Sequence, residues 1–158
     1  MEIRKIRETD NQQVAFLIRS ILEGMKVPKK GTAYADAALD DMYRSYQKPK
    51  SIFYVVDLQG EIIACGGIAP LEHYEGHLCE LQKMYVSTVH RGKGLAQKIM
   101  LACLGAALNF GFEGCYLETL PFMEVAQMLY QKNGFKYLKE PLGNTGHTAC
   151  TVRMLKEF

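Results

Sequence analysis

No stretch of the 158-residue chain holds the roughly 18 consecutive apolar residues that a bilayer-spanning helix needs. The opening residues, Met1 to Asp10, alternate charge with isoleucine and lack the apolar core of a signal peptide. The reading is therefore of a cytoplasmic protein with no membrane partner. Charge of one sign is equally scarce, because 19 Lys and Arg against 17 Asp and Glu leave a net +2, dispersed apart from short clusters such as Lys29-Lys30. A chain without a basic field lacks the electrostatic footprint of a nucleic-acid binder, and no nucleic acid is expected as a partner. Cysteine is sparse and oddly numbered: Cys65, Cys79, Cys103, Cys115 and Cys150 form no C-x-x-C pair. That excludes a complete disulfide framework and a structural zinc site, and leaves reduced thiols serving as small core residues. His73, His77, His90 and His147 are scattered, turn formers flank the two at helical spacing, and no metal is expected.

What the chain does have is 48% apolar and 23% charged residues, the composition of one globular domain with one core. Repeats, linkers and low-complexity segments are missing, so a single domain spans 1–158. Glu2 to Ile6 alternates like a short half-buried strand. Asp10 with Gln13 reads as a capping box opening a helix whose apolar positions are Val14, Leu17, Ile18, Ile21 and Leu22, closed by Gly24. After a loop over Met25 to Thr32, Ala35, Ala38, Leu39, Met42 and Tyr46 suggest a second, weaker helix ending at Pro49. Ile52 to Val56 and Ile62 to Ile68, joined through Asp57-Leu58-Gln59-Gly60, read as a hairpin, and Leu78 to Val86 as a third strand of that group. From Gly94 the period returns to 3.6 residues until Gly111. A short strand at Cys115 to Glu118, a helix over Pro121 to Asn133 and a closing strand pair, Phe135 to Leu138 with Thr148 to Leu155, complete an α/β domain.

The turn before the long helix, His90-Arg91-Gly92-Lys93-Gly94-Leu95-Ala96, puts two glycines and two cations where a strand gives way to a helix. Glycine lets backbone approach a ligand closely, and the free N–H groups and dipole of the helix start favour a phosphate. A Walker loop would require glycine at position 87, where Ser87 stands, and a dinucleotide fingerprint would require a small residue at Gln97. What remains resembles the R/Q-x-x-G-x-G/A pyrophosphate loop of the GNAT superfamily of acyl-CoA-dependent N-acyltransferases, matched by Arg91, Gly94 and Ala96. The strand Glu80-Leu81-Gln82-Lys83-Met84-Tyr85-Val86 looks like the family's fourth strand, and Ala126 to Phe135 is similar to its A-x-x-L-Y-x-x-x-G-F. Three matches in family order extend the resemblance over essentially the whole chain. One departure is Met123, where many members carry a cofactor-contacting Asn.

The resemblance implies a mixed, mainly antiparallel central sheet of the α+β type, flanked by about four helices and splayed between strands four and five. It implies acetyl-CoA as cosubstrate, held by Met84, Tyr85 and Val86 along the fourth strand, by Arg91, Gly92, Lys93, Gly94, Leu95 and Ala96 in the loop, and by Tyr130. Acyl transfer from a thioester to an amine needs a deprotonated amine, a stabilised oxyanion and a proton for the thiolate. Glu80 resembles the family's catalytic glutamate, with Glu118 or a water chain as alternatives for the base. The Val86 N–H is expected to meet the oxyanion and Tyr130 to protonate the leaving thiolate. The acceptor is expected among Tyr34, Tyr43, Tyr46, His73, Tyr74, Asn144 and His147, between the first two helices and the loop joining the last strands. The expected activity is acetyl transfer to a primary amine in a ternary complex, with a small molecule favoured as acceptor. The alternatives are a non-catalytic acyl-CoA-binding or sensor module and a protein N-terminal or lysine acetyltransferase. Homodimerisation follows by family habit.

Overall fold

The computed structural model describes all 158 residues. Seven strands form one sheet in the order β1-β2-β3-β4-β5-β7-β6. They are β1 (Glu2–Lys5), β2 (Ile52–Leu58), β3 (Glu61–Pro70), β4 (Leu78–Val86), β5 (Gly114–Thr119), β6 (Lys136–Leu138) and β7 (Val152–Glu157). Every neighbouring pair is antiparallel except β4 and β5, which run parallel. Four α-helices flank the sheet: α1 (Asn11–Gly24), α2 (Met42–Ser45), α3 (Leu95–Asn109) and α4 (Glu124–Lys132). The sheet is coated on both faces by apolar layers. On one, α3 packs through Ile99, Met100, Cys103 and Ala107 against Val56, Ile63 and Leu117; on the other, α1 packs through Val14, Ile18 and Leu22 against Phe53, Val55 and Cys65. Four of the five cysteines are fully buried as expected, and Cys150 is half-buried. No helix is long and apolar enough to cross a membrane.

Three expectations need correction, each for a local physical reason. Asp10 and Gln13 do not form a capping box at α1. Both Asp10 carboxylate oxygens accept from the Arg4 guanidinium, at 2.7 and 3.0 Å, and one also takes the Arg7 N–H. Gln13 instead reaches the β2–β3 turn, donating to the Gly60 carbonyl and accepting from the Ile62 N–H, both at 3.0 Å. The weak second helix is broken into 3₁₀ turns at Ala33–Ala35 and Ala37–Asp41 followed by the single turn of α2. Thr32, Asp36 and Asp41 each accept a backbone N–H two or three residues onward, so their side chains restart the chain three times. Finally, α4 starts at Glu124, not Pro121, and Gln127 covers the two preceding carbonyls by donating to Leu120 and Pro121.

The feature that creates a site is the short contact between β4 and β5. Their pairing covers only Leu78–Glu80 against Gly114–Tyr116; beyond it β4 stays with β3 while β5 turns to β7. Alongside the gap, β4 carries a bulge, where the register with β3 slips between Cys65 and Gly67 and Lys83 takes φ 51°. A bulge adds a residue and re-aims the side chains around it. Gly66 sits opposite, where an added Cβ would meet the Ile99 side chain at 2.8 Å and Met84 Cα at 3.3 Å. Only a residue without a side chain lets α3 close on the sheet there.

At the other edge, Arg4 joins Asp10 and Asp57 with little exposure of any of the three side chains. Burial pushes the Asp10 carboxyl up, but the Arg4 and Arg7 hydrogen bonds outweigh it, leaving it below its usual value of 3.8. A depressed carboxyl lends stability that is present above the unfolded value and lost as the pH falls through the folded one. Asp10→Ala is therefore expected to lower unfolding free energy by about 3 kcal/mol at pH 7. In urea titrations the difference from wild type should shrink as the pH drops below 3.8.

Candidate active site

Two cavities flank the gap between β4 and β5. The larger, ≈ 760 Å³, runs from Met84, Tyr85 and Val86 past the glycine turn to α4. The smaller, ≈ 80 Å³, lies behind it, against Glu80, Glu118 and His147. Met84, Tyr85, Met123, Ala126 and Tyr130 border both, so the two spaces meet at one seam.

At the large cleft, Gly92 and Gly94 adopt φ of 74° and 73°, and nothing lies within 4 Å of where either Cβ would be. Their identity is thus demanded by the left-handed backbone, and the space in front of them is open. Gly94 caps α3 and accepts the Lys98 N–H, which leaves the N–H groups of Leu95, Ala96 and Gln97 without intrahelical acceptors. No acidic side chain stands in that first turn to compete for an anion. Arg91 folds back, its Nε donating to the Val86 carbonyl at 3.4 Å. The Ser87 N–H goes to the Ile63 carbonyl of β3. By the alternation of a strand, the Val86 N–H one residue earlier points the opposite way, into the gap. Gln97 and Asn133 exchange two amide hydrogen bonds, 2.7 and 2.8 Å, clamping the start of α3 to the end of α4. The opposite wall is apolar, with Phe122, Val125 and Met128 of the α4 region exposed along it.

Behind the seam the wall is charged and dry. Glu80 is 3% exposed, and one of its oxygens accepts from Gln82 Nε2 at 2.6 Å. Burial raises its carboxyl to about 7, against the pull of Gln82 and Lys83 and with the help of Glu118. Gln82 is itself fixed by the Tyr46 hydroxyl, 2.5 Å from its Oε1. Glu118 accepts from the Tyr116 and Thr145 hydroxyls at 2.7 and 2.5 Å, so both of its oxygens are engaged. Tyr130 is buried with its ring edge toward Phe135. Burial, with the Cys115 and Cys150 thiols, pushes its hydroxyl well above the ordinary value.

These features can be set beside known proteins. The profile of the acetyltransferase (GNAT) family matches residues 18–135. The chain is 43% identical over 157 residues to the uncharacterized N-acetyltransferase YjgM of Escherichia coli (strain K12), covering 99% of this chain and 94% of that one. The chain belongs to the GNAT family. It is an acyl-CoA-dependent N-acetyltransferase by that membership. It is also 32% identical over 111 residues to the N-acetylaspartate synthetase of Homo sapiens, across 67% of this chain and 36% of that protein. Its fold is shared with the PaiA N-acetyltransferase of Thermoplasma acidophilum in complex with coenzyme A, with TM-score 0.73, 18% identity and coverage of 99% and 98%.

In this GNAT chain the structure brings most of the residues singled out by sequence to the large cleft. Met84, Tyr85, Val86, Arg91, Gly92, Gly94, Leu95, Ala96 and Tyr130 all border the large cleft. Lys93 is exposed on the turn and does not, whereas Lys132 at the end of α4 does. Met123 occupies the position of the missing Asn and receives the Thr119 hydroxyl on its sulfur at 3.3 Å. Of the acceptor candidates, His147 borders the small cavity and Tyr46 reaches it through Gln82. Tyr34 is occupied by Glu23, and Asn144 caps its own turn through Gly146. His73 and Tyr74 lie in the exposed β3–β4 loop, and Tyr43 packs beside the α1 core. Sequence reasoning passed over Gln82, Lys83 and Asp36. For Gln82 and Lys83 the one signal was position, two polar residues inside a strand otherwise read as cofactor wall; Asp36, in the irregular segment before β2, gave none.

The raised Glu80 carboxyl has a stability signature. The folded protein keeps its proton up to about 7 while the unfolded chain releases it near 4.5, so stability declines as the pH rises between those values. Glu80→Gln cannot ionise and escapes that loss. Its melting temperature should exceed that of wild type at pH 8, by an amount on the order of 2 kcal/mol of stability, with the gap closing toward pH 4.

Proposed function

We propose that the chain moves the acetyl group of acetyl-CoA to a primary amine of a small molecule, by direct attack within a ternary complex. The observation that carries this reading is the seam: an anion-ready helix start and an apolar cleft on one side, a dry carboxylate on the other, and Tyr130 between them. The pyrophosphate would rest on the N–H groups of Leu95, Ala96 and Gln97, with Arg91 beside it, and the pantetheine arm along Met84 to Val86. The acceptor enters the smaller cavity, whose enclosure suits a metabolite better than a lysine on a folded protein. An N-acetylaspartate synthetase among the relatives supports an acceptor of metabolite size.

Glu80 takes a proton from the acceptor ammonium, either directly or through one water. A carboxyl poised at about 7 accepts that proton and passes it on near neutral pH. The free nitrogen adds to the thioester carbonyl carbon, and the oxygen, now negative, meets the Val86 N–H in the gap. The C–S bond then breaks and the amide forms as its nitrogen gives up its surplus proton to water, while the thiolate takes the Tyr130 hydroxyl proton, which water then restores. Before that step the hydroxyl keeps its proton throughout the working range because burial raises its pKa, so a donor always faces the departing sulfur. Glu118 fits the base role less well, since two hydroxyls already occupy its oxygens.

Calorimetric titration of acetyl-CoA followed by thiol release over a panel of amines tests the reading directly. Binding with turnover is expected, and an absence of binding at micromolar protein overturns it. Tyr130→Phe keeps the ring and is expected to reduce kcat by about 10²-fold or more while leaving acetyl-CoA affinity nearly unchanged. The wild-type kcat/KM should rise through about pH 7, and Glu80→Gln should remove that limb.

A further inference from the structure

Lys83 is the one lysine or arginine that borders the small cavity, and the transfer steps give it no task. Its side chain is 6% exposed, although lysine keeps its ammonium in water wherever it can. The bulge puts it there, with the backbone at φ 51°, an uncommon conformation for a non-glycine residue inside a strand. The ammonium has three N–H donors, and Asp36, 2.6 Å away, is its one ion-pair partner. Asp36 is itself committed to a turn, accepting the Ala38 N–H at 2.9 Å. A buried ammonium with one acceptor, on a residue that borders a cavity, is a site for a second anion.

The neighbours of Lys83 narrow the ligand. Its positive charge is felt at Glu80, at Asp36 and at His147. His147 also borders the cavity, and burial followed by the nearness of Lys83 holds its imidazole toward the neutral form. An arriving carboxylate would relieve that constraint and gain a second donor. Glu80 and Glu118 line the same small space. One wall thus offers a cation and a histidine, together with carboxylates that attract an ammonium. A simple amine would satisfy the carboxylates and leave Lys83 with its spare donors unmet; a zwitterion satisfies both.

Resting on the acetyl-transfer reading above, we infer that the acceptor is an α-amino acid whose carboxylate is held by the Lys83 ammonium while its amino group faces Glu80. Lys83 then sets specificity and takes no part in breaking or forming bonds. Asp36 positions it, and the bulge is the backbone device that turns it inward.

The test uses wild-type protein and acetyl-CoA with the common L-amino acids, each beside its carboxamide and its decarboxylated amine, read by thiol release. At least one amino acid should be turned over, with kcat/KM for the two counterparts that lack the carboxylate lower by about 10- to 100-fold. Lys83→Met should raise KM for the amino acid by a similar factor and erase the preference over the carboxamide. KM for acetyl-CoA should stay the same, and a thermal melt reports whether the variant is folded. A lysine that merely braced the fold would weaken acid and amide alike. Equal or better turnover of the amides or decarboxylated amines by wild type overturns the assignment without touching the acetyl-transfer reading. The same holds if acetyl-CoA binds calorimetrically but no amino acid is acetylated. Failure of acetyl-CoA to bind removes both.

Discussion

Parallel pairing between β4 and β5 stops after Glu80 and Tyr116, and backbone groups beyond that point must find other partners or face a cavity. Each strand solves this by holding to its outer neighbour, β4 to β3 and β5 to β7. The groups left over are those of the inner edges, among them the Val86 N–H. An unpaired donor in such a cleft is unfavourable in the resting protein, and under the proposed transfer it is the group that would meet the negative oxygen. The gap also lets the two cavities meet, along Met84, Tyr85 and Tyr130. The α3 helix start and the α4 tyrosine are placed by reference to this gap.

Charge inside the domain is handled by pairing at close range. Arg4 bridges Asp10 and Asp57, Lys83 meets Asp36, and Glu118 takes two hydroxyls. Glu80 is the exception, with one neutral amide donor and deep burial, and it alone is raised into the neutral range. A full ion pair would hold the carboxyl low, and without the Gln82 hydrogen bond it would keep its proton to still higher pH. The Tyr46–Gln82–Glu80 chain therefore fixes both where this oxygen points and how readily it gives up its proton. It also ties the irregular segment before β2 to the chemistry, although Tyr46 lies far from β4 in sequence.

Much of this was legible before any coordinates. The period-3.6 runs of α1 and α3, the Gly60 hairpin and the β4 alternation survive because apolar burial on one face enforces them whatever the neighbours do. The turn from Arg91 to Ala96 was legible for a different reason, since left-handed backbone at 92 and 94 restricts those positions to glycine. The misreadings concentrate where polar side chains choose between local and distant partners. Asp10 and Gln13 suit a helix cap, yet a strand arginine and a hairpin turn claimed them. Thr32, Asp36 and Asp41 each capped a new turn where an unbroken helix was expected. Lys93 and Lys132 exchanged places at the cleft because side-chain direction on a tight turn follows from the whole fold.

The sequence by itself determined the elements, their order, the glycine loop and the tyrosine motif, and through them the family and its chemistry. These are set by local sterics and by burial of one face, which a short window of residues contains. Only the tertiary structure decided that β4 and β5 part after three residue pairs, that Lys83 turns inward at a bulge, and that Glu80 loses its water. Those outcomes depend on contacts between segments far apart in the chain, and on the dielectric that such contacts create, which no single segment carries in its own residues.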